Sequence, residues 1–449
     1  MSLITAIGGF LLGYDSGVIS GAILHMKVEL FLTPTQQGVV ISMVPLGAIL
    51  GAFSGGFLSD RWGRKKIILT ASIIFIISVL CLSFSDATTQ VIISRFIMGI
   101  ALGMYLAITP LYIAELAPPN RRGSLVSFIQ LAITIGVLAA YLIGIFFIDI
   151  ASWRIMFYIA AVPATLQFIS MLFFPESPSW LINHNQTKEA VTILTLFRDS
   201  NEQAELEVST MQRNKEKQGL FKTSQFKKIF EKSFRPILII GLGITIIQQV
   251  TGINAIFYYA PTIFYFAGFT SHKSVILITT CLGLINVLMT IVSIFLLDKM
   301  GRKPLLIIGL AGMIVSLITL GIGFHFQESL LMARKISVIS LLVYVSFFAF
   351  SLGPIAGLLN TEIYPLSVRG LAVGLATCVN WFSNFVITLT FLDLTNLLGK
   401  SGIFWLYALI GIIGLLFIIR KIPETKNKSL EEIEGYWIKG DKIPSNPLS

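Results

Sequence analysis

Residues 37-QGVVISMVPLGAILGAFSGGFLSDRWGRKKIILTASIIFIISVLCLSFS-85 consist of two apolar runs joined by a short charged turn, Asp60-Arg61-Trp62-Gly63-Arg64-Lys65. Each run has about the 20 residues that an α-helix needs to cross a hydrocarbon core of roughly 30 Å. Two such runs around a polar turn predict a transmembrane helical hairpin. Working outward, apolar runs recur at 3–24, 37–59, 67–85, 91–114, 124–146 and 153–174, then at 235–267, 274–297, 304–324, 335–360, 370–393 and 402–420. The expectation is an all-α membrane protein with twelve spans, six on each side of a polar segment at 175–234. The first run is too long and too glycine-marked for a cleaved signal peptide and is read as a retained span.

Composition points the same way. The chain has 449 residues, 55 % of them apolar and only 12 % charged. A soluble domain carries roughly 25 % charged residues, so a water-exposed fold of this length would lack the charge to cover itself. A cytosolic enzyme and a disordered chain are both excluded. Cys81, Cys281 and Cys378 lie inside apolar runs, with no Cys/His cluster nearby. Neither a disulfide framework nor a metal site is expected. There is no nucleotide-binding loop and no nucleophile–base pattern, so neither a cofactor nor covalent chemistry is expected.

The net charge of +10 has a topological reading. Of the 33 Lys and Arg residues, 26 lie in the loops after even-numbered spans or in the tail, six lie on the other side, and Arg95 is inside a span. The positive-inside rule then places both termini in the cytoplasm and makes anionic lipid, not nucleic acid, the partner of the basic surface. The middle segment mixes charged and apolar residues, as in 186-QTKEAVTILTLF-197 and 220-LFKTSQFKKIF-230, and predicts amphipathic helices under the membrane.

The two halves repeat one another. Asp60-Arg-Trp-Gly-Arg-Lys65 returns as Asp298-Lys-Met-Gly-Arg-Lys303; Glu115 with Arg122-Gly123 returns as Glu362 with Arg369-Gly370; Pro175-Glu176-Ser177 returns as Pro423-Glu424-Thr425. Three pairs in one order, at nearly constant offset, indicate a duplicated six-helix unit, an architecture common in secondary transporters. The expected organisation is an N-terminal half at 1–174, a cytoplasmic linker at 175–234, a C-terminal half at 235–420 and a cytoplasmic tail at 421–449.

Eight strings in order, 8-GGFLLGYDSGVISG-21, 56-GFLSDRWGRKK-66, 109-TPLYIAELAPPNRRG-123, 175-PESPSWL-181, 248-QQVTGINAIFYYAP-261, 298-DKMGRKP-304, 361-TEIYPLSVRG-370 and 423-PETKN-427, resemble the sugar porter family of the major facilitator superfamily over nearly the whole chain. The resemblance implies two pseudo-symmetric six-helix halves and monosaccharide transport by alternating access, by a protein functional as a monomer. Ser179 departs from the arginine usual in its string, and Ile294 stands where the first repeat has Gly56.

Two groups of residues follow. In the loops, Arg64 and Arg122 are placed to pair with Glu115, and Arg302 and Arg369 with Glu362, with Asp60 and Arg61 in the same turn; the resemblance makes this network a closure of the cytoplasmic side. Within the spans, Asp15 and Arg95 are ionisable residues at depth, which marks function by default. They match the acid and arginine of proton-coupled sugar porters, implying proton symport. A neighbouring guanidinium favours the charged carboxylate while desolvation disfavours it. A static ion pair remains the structural alternative, which would leave a passive uniporter; a non-transporting sugar sensor is a third reading.

Carboxamides both donate and accept, which suits sugar hydroxyls, and aromatic faces cover sugar C–H surface. The candidates are Gln130 in span 5, Gln248, Gln249 and Asn254 in span 7, Asn286 in span 8, and Asn380 with Trp381 in span 11. Gly252, beside Thr251, marks a place where span 7 bends or breaks. Tyr258 and Tyr259 read as an outer gate or as part of the aromatic belt. The resemblance places tryptophan in many relatives where Gly357 stands here, implying a roomier or differently lined cavity. A hexose is the first expectation, with a pentose or inositol as alternatives.

Overall fold

In the computed structural model the residues described are 6–118, 122–147, 152–198, 200–219, 234–326, 331–365 and 368–426. Their regular structure is helical, with no strand among them. Eleven helical segments are long and apolar enough to cross a membrane: Ile7–Glu29, Pro34–Trp62, Arg64–Ser83, Thr88–Leu116, Phe128–Phe146, Trp153–Phe173, Arg235–Phe266, His272–Leu297, Arg302–His325, Met332–Ile363 and Arg369–Lys421. The last runs for 53 residues but leaves helical geometry at Gly399, where φ is +77°. At 1.5 Å per residue a straight helix of that length would measure about 80 Å, far more than a bilayer core. The glycine therefore turns the chain between spans 11 and 12, giving twelve spans. The protein is an integral membrane protein.

The chain separates into two compact units, Met1–Lys222 and Thr223–Ser449. In the first, span 2 packs along span 4, span 1 along span 5, and span 3 against spans 4 and 6. In the second, span 8 packs along span 10, and span 9 packs against spans 10 and 12. Contact between spans 2 and 4 depends on small residues from both sides. A Cβ on Gly47 or Gly51 would lie 2.1 or 2.0 Å from the carbonyl oxygen of Phe96 or Ile100. A Cβ on Gly99 or Gly103 would lie 2.2 or 2.3 Å from that of Val44 or Ala48. Apolar side chains gain little by leaving lipid for another apolar surface, so close backbone approach is what drives such pairs together.

Three spans are not single helices. Span 7 breaks between Arg235–Val250 and Ile253–Phe266, as its Thr-Gly pair foretold. Spans 6 and 10, read from sequence as continuous, are also divided. Span 6 consists of Trp153–Tyr158 and Ala161–Phe173, and span 10 of Leu331–Phe350 and Leu352–Ile363. Hydropathy is blind to such breaks, because one serine at 351 or the pair Ile159-Ala160 leaves the average over the run apolar.

The polar segment after span 6 contains the helices Pro178–Asn183, Thr187–Thr195 and Asn201–Gly219. Ala190, Ile193, Leu194, Ala204 and Val208 are buried, so one face packs on the protein. Arg198 fixes them to span 4: its Nη1 and Nη2 donate to the carbonyls of Leu116 and Ala117 at 3.1 and 3.4 Å, while Glu207 holds its Nε at 2.6 Å. The second expected amphipathic stretch, 220–230, and the tail beyond Lys426 lie outside the described residues.

Candidate functional site

The candidate side chains gather in four places: the basic end of each unit and the middle of each unit. At the basic end, Gly63 has φ +102° and Gly301 +88°, a conformation that other residues enter only with strain. Each glycine starts a helix whose first N–H groups have no intrahelical acceptor. In the first unit the Glu176 carboxylate accepts from the backbone N–H of Arg64 and of Lys65, at 2.8 and 3.1 Å. In the second, Glu424 accepts from Arg302 and Lys303, each at 3.0 Å. An anion at a helix N-terminus also meets the positive end of the helix dipole. Beside each cap lies the expected ion pair. Arg64 Nη2 meets Glu115 at 3.3 Å, and Arg302 Nη2 meets Glu362 at 2.7 Å. Ser177 donates to Glu115, and Thr425 donates to Glu362 at 2.5 Å.

The sequence reading singled out the Pro-Glu-Ser and Pro-Glu-Thr strings only as repeats and gave their glutamates no task. Their recurrence one unit apart was the signal; the partner was hidden because it is backbone. Other members of the expected network stand as follows. Asp60 reaches Arg64 at 3.3 Å from an exposed position. Arg61 is exposed and makes no ion pair among the described residues. Arg369 Nε donates to the Tyr364 carbonyl at 3.0 Å. The Arg122 side chain lies outside the described residues.

In the middle of the first unit, Asp15 and Arg95 meet. Arg95 Nη1 donates to Asp15 Oδ1 at 3.0 Å and Nη2 to Oδ2 at 3.5 Å. Arg95 Nε donates to the Val40 carbonyl at 2.7 Å, and the guanidinium lies 5.7 Å from the Phe157 ring centre. One cation thus ties span 4 to spans 1, 2 and 6. The side chains are 0 % and 2 % exposed, so each charge depends on the other for its compensation.

The middle of the second unit is built from amides and hydroxyls. Gln249 Oε1 accepts from Asn254 Nδ2 at 2.5 Å, across the break in span 7. Gln248 Oε1 accepts from Asn380 Nδ2 of span 11 at 2.9 Å, and its Nε2 donates to the carbonyls of Leu352 and Gly353 at 2.9 and 3.1 Å. At the break, Gly252 has φ +93°, and a Cβ there would lie 2.5 Å from the Tyr407 ring. The Thr251 carbonyl accepts from Tyr344 Oη at 2.9 Å. Tyr344 is another residue that the sequence reading missed, since a tyrosine in an apolar run carries no local signal.

The remaining candidates are more dispersed. Trp381, next to Asn380, is buried, as is Asn286 in span 8. Gln130 is half-buried on span 5 in the first unit. Tyr258 and Tyr259 are both buried, which removes them from the lipid-facing belt. Tyr259 Oη donates to the Thr388 carbonyl at 3.1 Å, and its ring stacks on Phe391 at 4.8 Å.

A sequence profile described as "Sugar (and other) transporter" matches residues 1–437. The chain belongs to that family. A D-xylose transporter of Levilactobacillus brevis is 40 % identical over 432 residues, covering 96 % of this chain and 93 % of that one. A galactose-proton symporter of Escherichia coli K12 is 36 % identical over 441 residues, covering 98 % and 94 %. Among solved structures, the inward-open conformation of the xylose transporter XylE from E. coli superimposes with a TM-score of 0.82 at 31 % identity, covering 97 % of this chain and 99 % of that one. Family membership makes this a transport protein, and the sugar porter resemblance read from its motifs holds over the full length.

Proposed function

We propose that the chain is a monosaccharide:proton symporter of the cytoplasmic membrane, working by alternating access as a monomer, with both termini in the cytoplasm. The observation that carries the coupling is the buried Asp15–Arg95 pair. Moving Arg95 away would leave a buried carboxylate without its partner, a penalty of several kcal/mol that taking up a proton relieves. Because Arg95 also holds span 2 and lies over span 6, rearrangement of these spans is what would move it. Proton binding and helix movement are then one event. The named sugars of the relatives, D-xylose and galactose among them, support a monosaccharide as the partner substrate.

In this reading Gln248, Gln249, Asn254, Asn286, Asn380 and Trp381 bind the sugar in the second unit, and Gln130 is a sugar-binding residue of the first. Gly252 provides the hinge of span 7, and Tyr258 and Tyr259 move with its second arm as the gate. The Arg64–Glu115 and Arg302–Glu362 clusters, with Asp60, Arg61, Arg122 and Arg369 around them, hold the cytoplasmic ends of the spans closed and separate on inward opening.

The test is sugar-induced proton movement in proteoliposomes, with glucose, galactose, xylose, arabinose and inositol, and Asp15→Asn as the control. Inward proton flux with one of these sugars, lost in the variant while sugar exchange persists, is the expected result. Sugar equilibration without proton movement would make the protein a uniporter and Asp15–Arg95 a structural pair.

A further inference from the structure

Span 6 begins with a short arm, Trp153–Tyr158, at the end of the first unit opposite its basic turn, the outer end in the symport reading. Pro163 has no N–H, so the Ile159 carbonyl accepts from Val162 at 3.1 Å instead, and the helix is interrupted after the arm. The first two residues of the arm gather three segments of chain. Trp153 Nε1 donates to Glu29 Oε2 at 2.6 Å and Arg154 Nη1 to Glu29 Oε1 at 2.5 Å, at the last residue of the span 1 helix. Just past the end of span 3, the Ser85 carbonyl and Asp86 Oδ1 accept from Arg154 Nη2 at 2.8 and 3.1 Å. Ser83 Oγ donates in turn to the Arg154 carbonyl at 3.3 Å. Asp86 is tied to span 4, because its N–H donates to Gln90 Oε1 at 2.9 Å. A cation placed here also meets the negative ends of two helix dipoles.

The other end of the arm reaches the buried ion pair from both sides. The Met156 carbonyl accepts from Tyr14 Oη at 2.7 Å, and Tyr14 precedes Asp15 in span 1. The Phe157 ring is buried and its centre lies 5.7 Å from the Arg95 guanidinium. Trp153, Met156 and Phe157 are three and four residues apart and form one buried face. The arm therefore grips span 1 at Glu29 and Tyr14, and span 4 at the turn leading into it and at Arg95. Six helical residues cover only about 9 Å, so one short rigid piece joins the two levels.

We propose that the arm is a bracket that fixes how closely Asp15 and Arg95 approach, and that Arg154, which touches neither, is a positioning residue for proton coupling. Freeing the arm at its outer end lets Tyr14 and Phe157 shift, and the two charges then separate with less resistance. A carboxylate held less closely by its guanidinium binds a proton at higher pH. The proton affinity of the pair is thereby set in part from the outer face. Among the described residues, the charged groups that bear on the arm are Glu29, His25, Asp86 and the pair itself. The proposal rests on the symport reading above.

Proton-driven uptake into proteoliposomes tests it, measured against external pH with glucose, galactose, xylose and arabinose, beside thermal melts of each variant. Arg154→Gln should move the midpoint of uptake upward by at least about 0.5 pH unit, and Arg154→Lys should return most of that shift. Glu29→Gln weakens the same anchor from span 1 and should do likewise; it decides the matter if Arg154→Gln does not fold. Phe157→Leu leaves the outer anchor whole and should move the midpoint in the same direction. Asp15→Asn should abolish the midpoint, which assigns the titration to the pair and not to Glu29, Asp86 or His25. A lowered melting temperature with an unmoved or lowered midpoint in the anchor variants would make Arg154 a structural residue and overturn the proposal. A shift confined to Phe157→Leu would overturn it too. If none of these sugars drives proton-linked uptake by the wild type, the symport reading itself fails, a result distinct from an unmoved midpoint.

Discussion

The two six-helix units are built alike at their basic ends and differently in their middles. At the basic end each has a left-handed glycine, a glutamate accepting from the next two backbone N–H groups, and an arginine–glutamate pair supported by a hydroxyl. In the middle, the first unit buries a full ion pair, Asp15 with Arg95, whereas the second uses neutral amides that pair with one another and with backbone at helix breaks. A buried ion pair stores a large electrostatic penalty that appears when it is separated. Neutral amides exchange partners at much lower cost, and a ligand's hydroxyls fit between them. The two units share one scaffold and differ in the buried charge that the first carries at its middle.

That comparison is most exposed at Arg95. Arg95→Leu leaves Asp15 buried without its cation and should lower stability by about 3–5 kcal/mol, seen as a fall in the melting temperature of the purified protein. Adding Asp15→Asn to it should restore most of the loss; a single variant as stable as wild type would remove the ion pair from the first unit's description. Next in size is Asn254→Ala in the second unit. Sugar affinity measured by calorimetry should fall at least about 100-fold, roughly 2.7 kcal/mol, while Asp15–Arg95 stays intact.

A smaller effect separates the two basic ends. Arg302 engages Glu362 through both Nε and Nη2, with contacts of 3.2 and 2.7 Å, whereas Arg64 meets Glu115 through Nη2 alone and its buried Nε has no hydrogen-bond partner among the described residues. Forked pairs are stronger than single contacts. Glu362→Gln should therefore destabilise by about 1–3 kcal/mol and Glu115→Gln by less, in thermal melts of the two variants side by side. Equal losses would show that fork geometry has no weight here. The smallest expected effect is one where the units should agree. Glu176→Ala and Glu424→Ala each remove a helix cap, worth about 1 kcal/mol, and should shift the melting temperature alike.

Much of this was legible in residue order. The twelve spans follow from apolar run length against bilayer thickness, and the repeat from three matched strings. Asp15 and Arg95 declared themselves because charge in an apolar run is costly enough to mark function. Gly252 announced the break in span 7 because few other residues tolerate φ +93°. Tertiary structure alone decided the rest. Which carbonyls the Gln248 amide holds, that Glu176 and Glu424 cap helices across the fold, and that span 10 breaks at Ser351 are facts about backbone groups brought together over long separations. Every residue carries the same backbone N–H and C=O, so the sequence cannot mark which of them lies within reach of a distant side chain; that is fixed only when the helices pack.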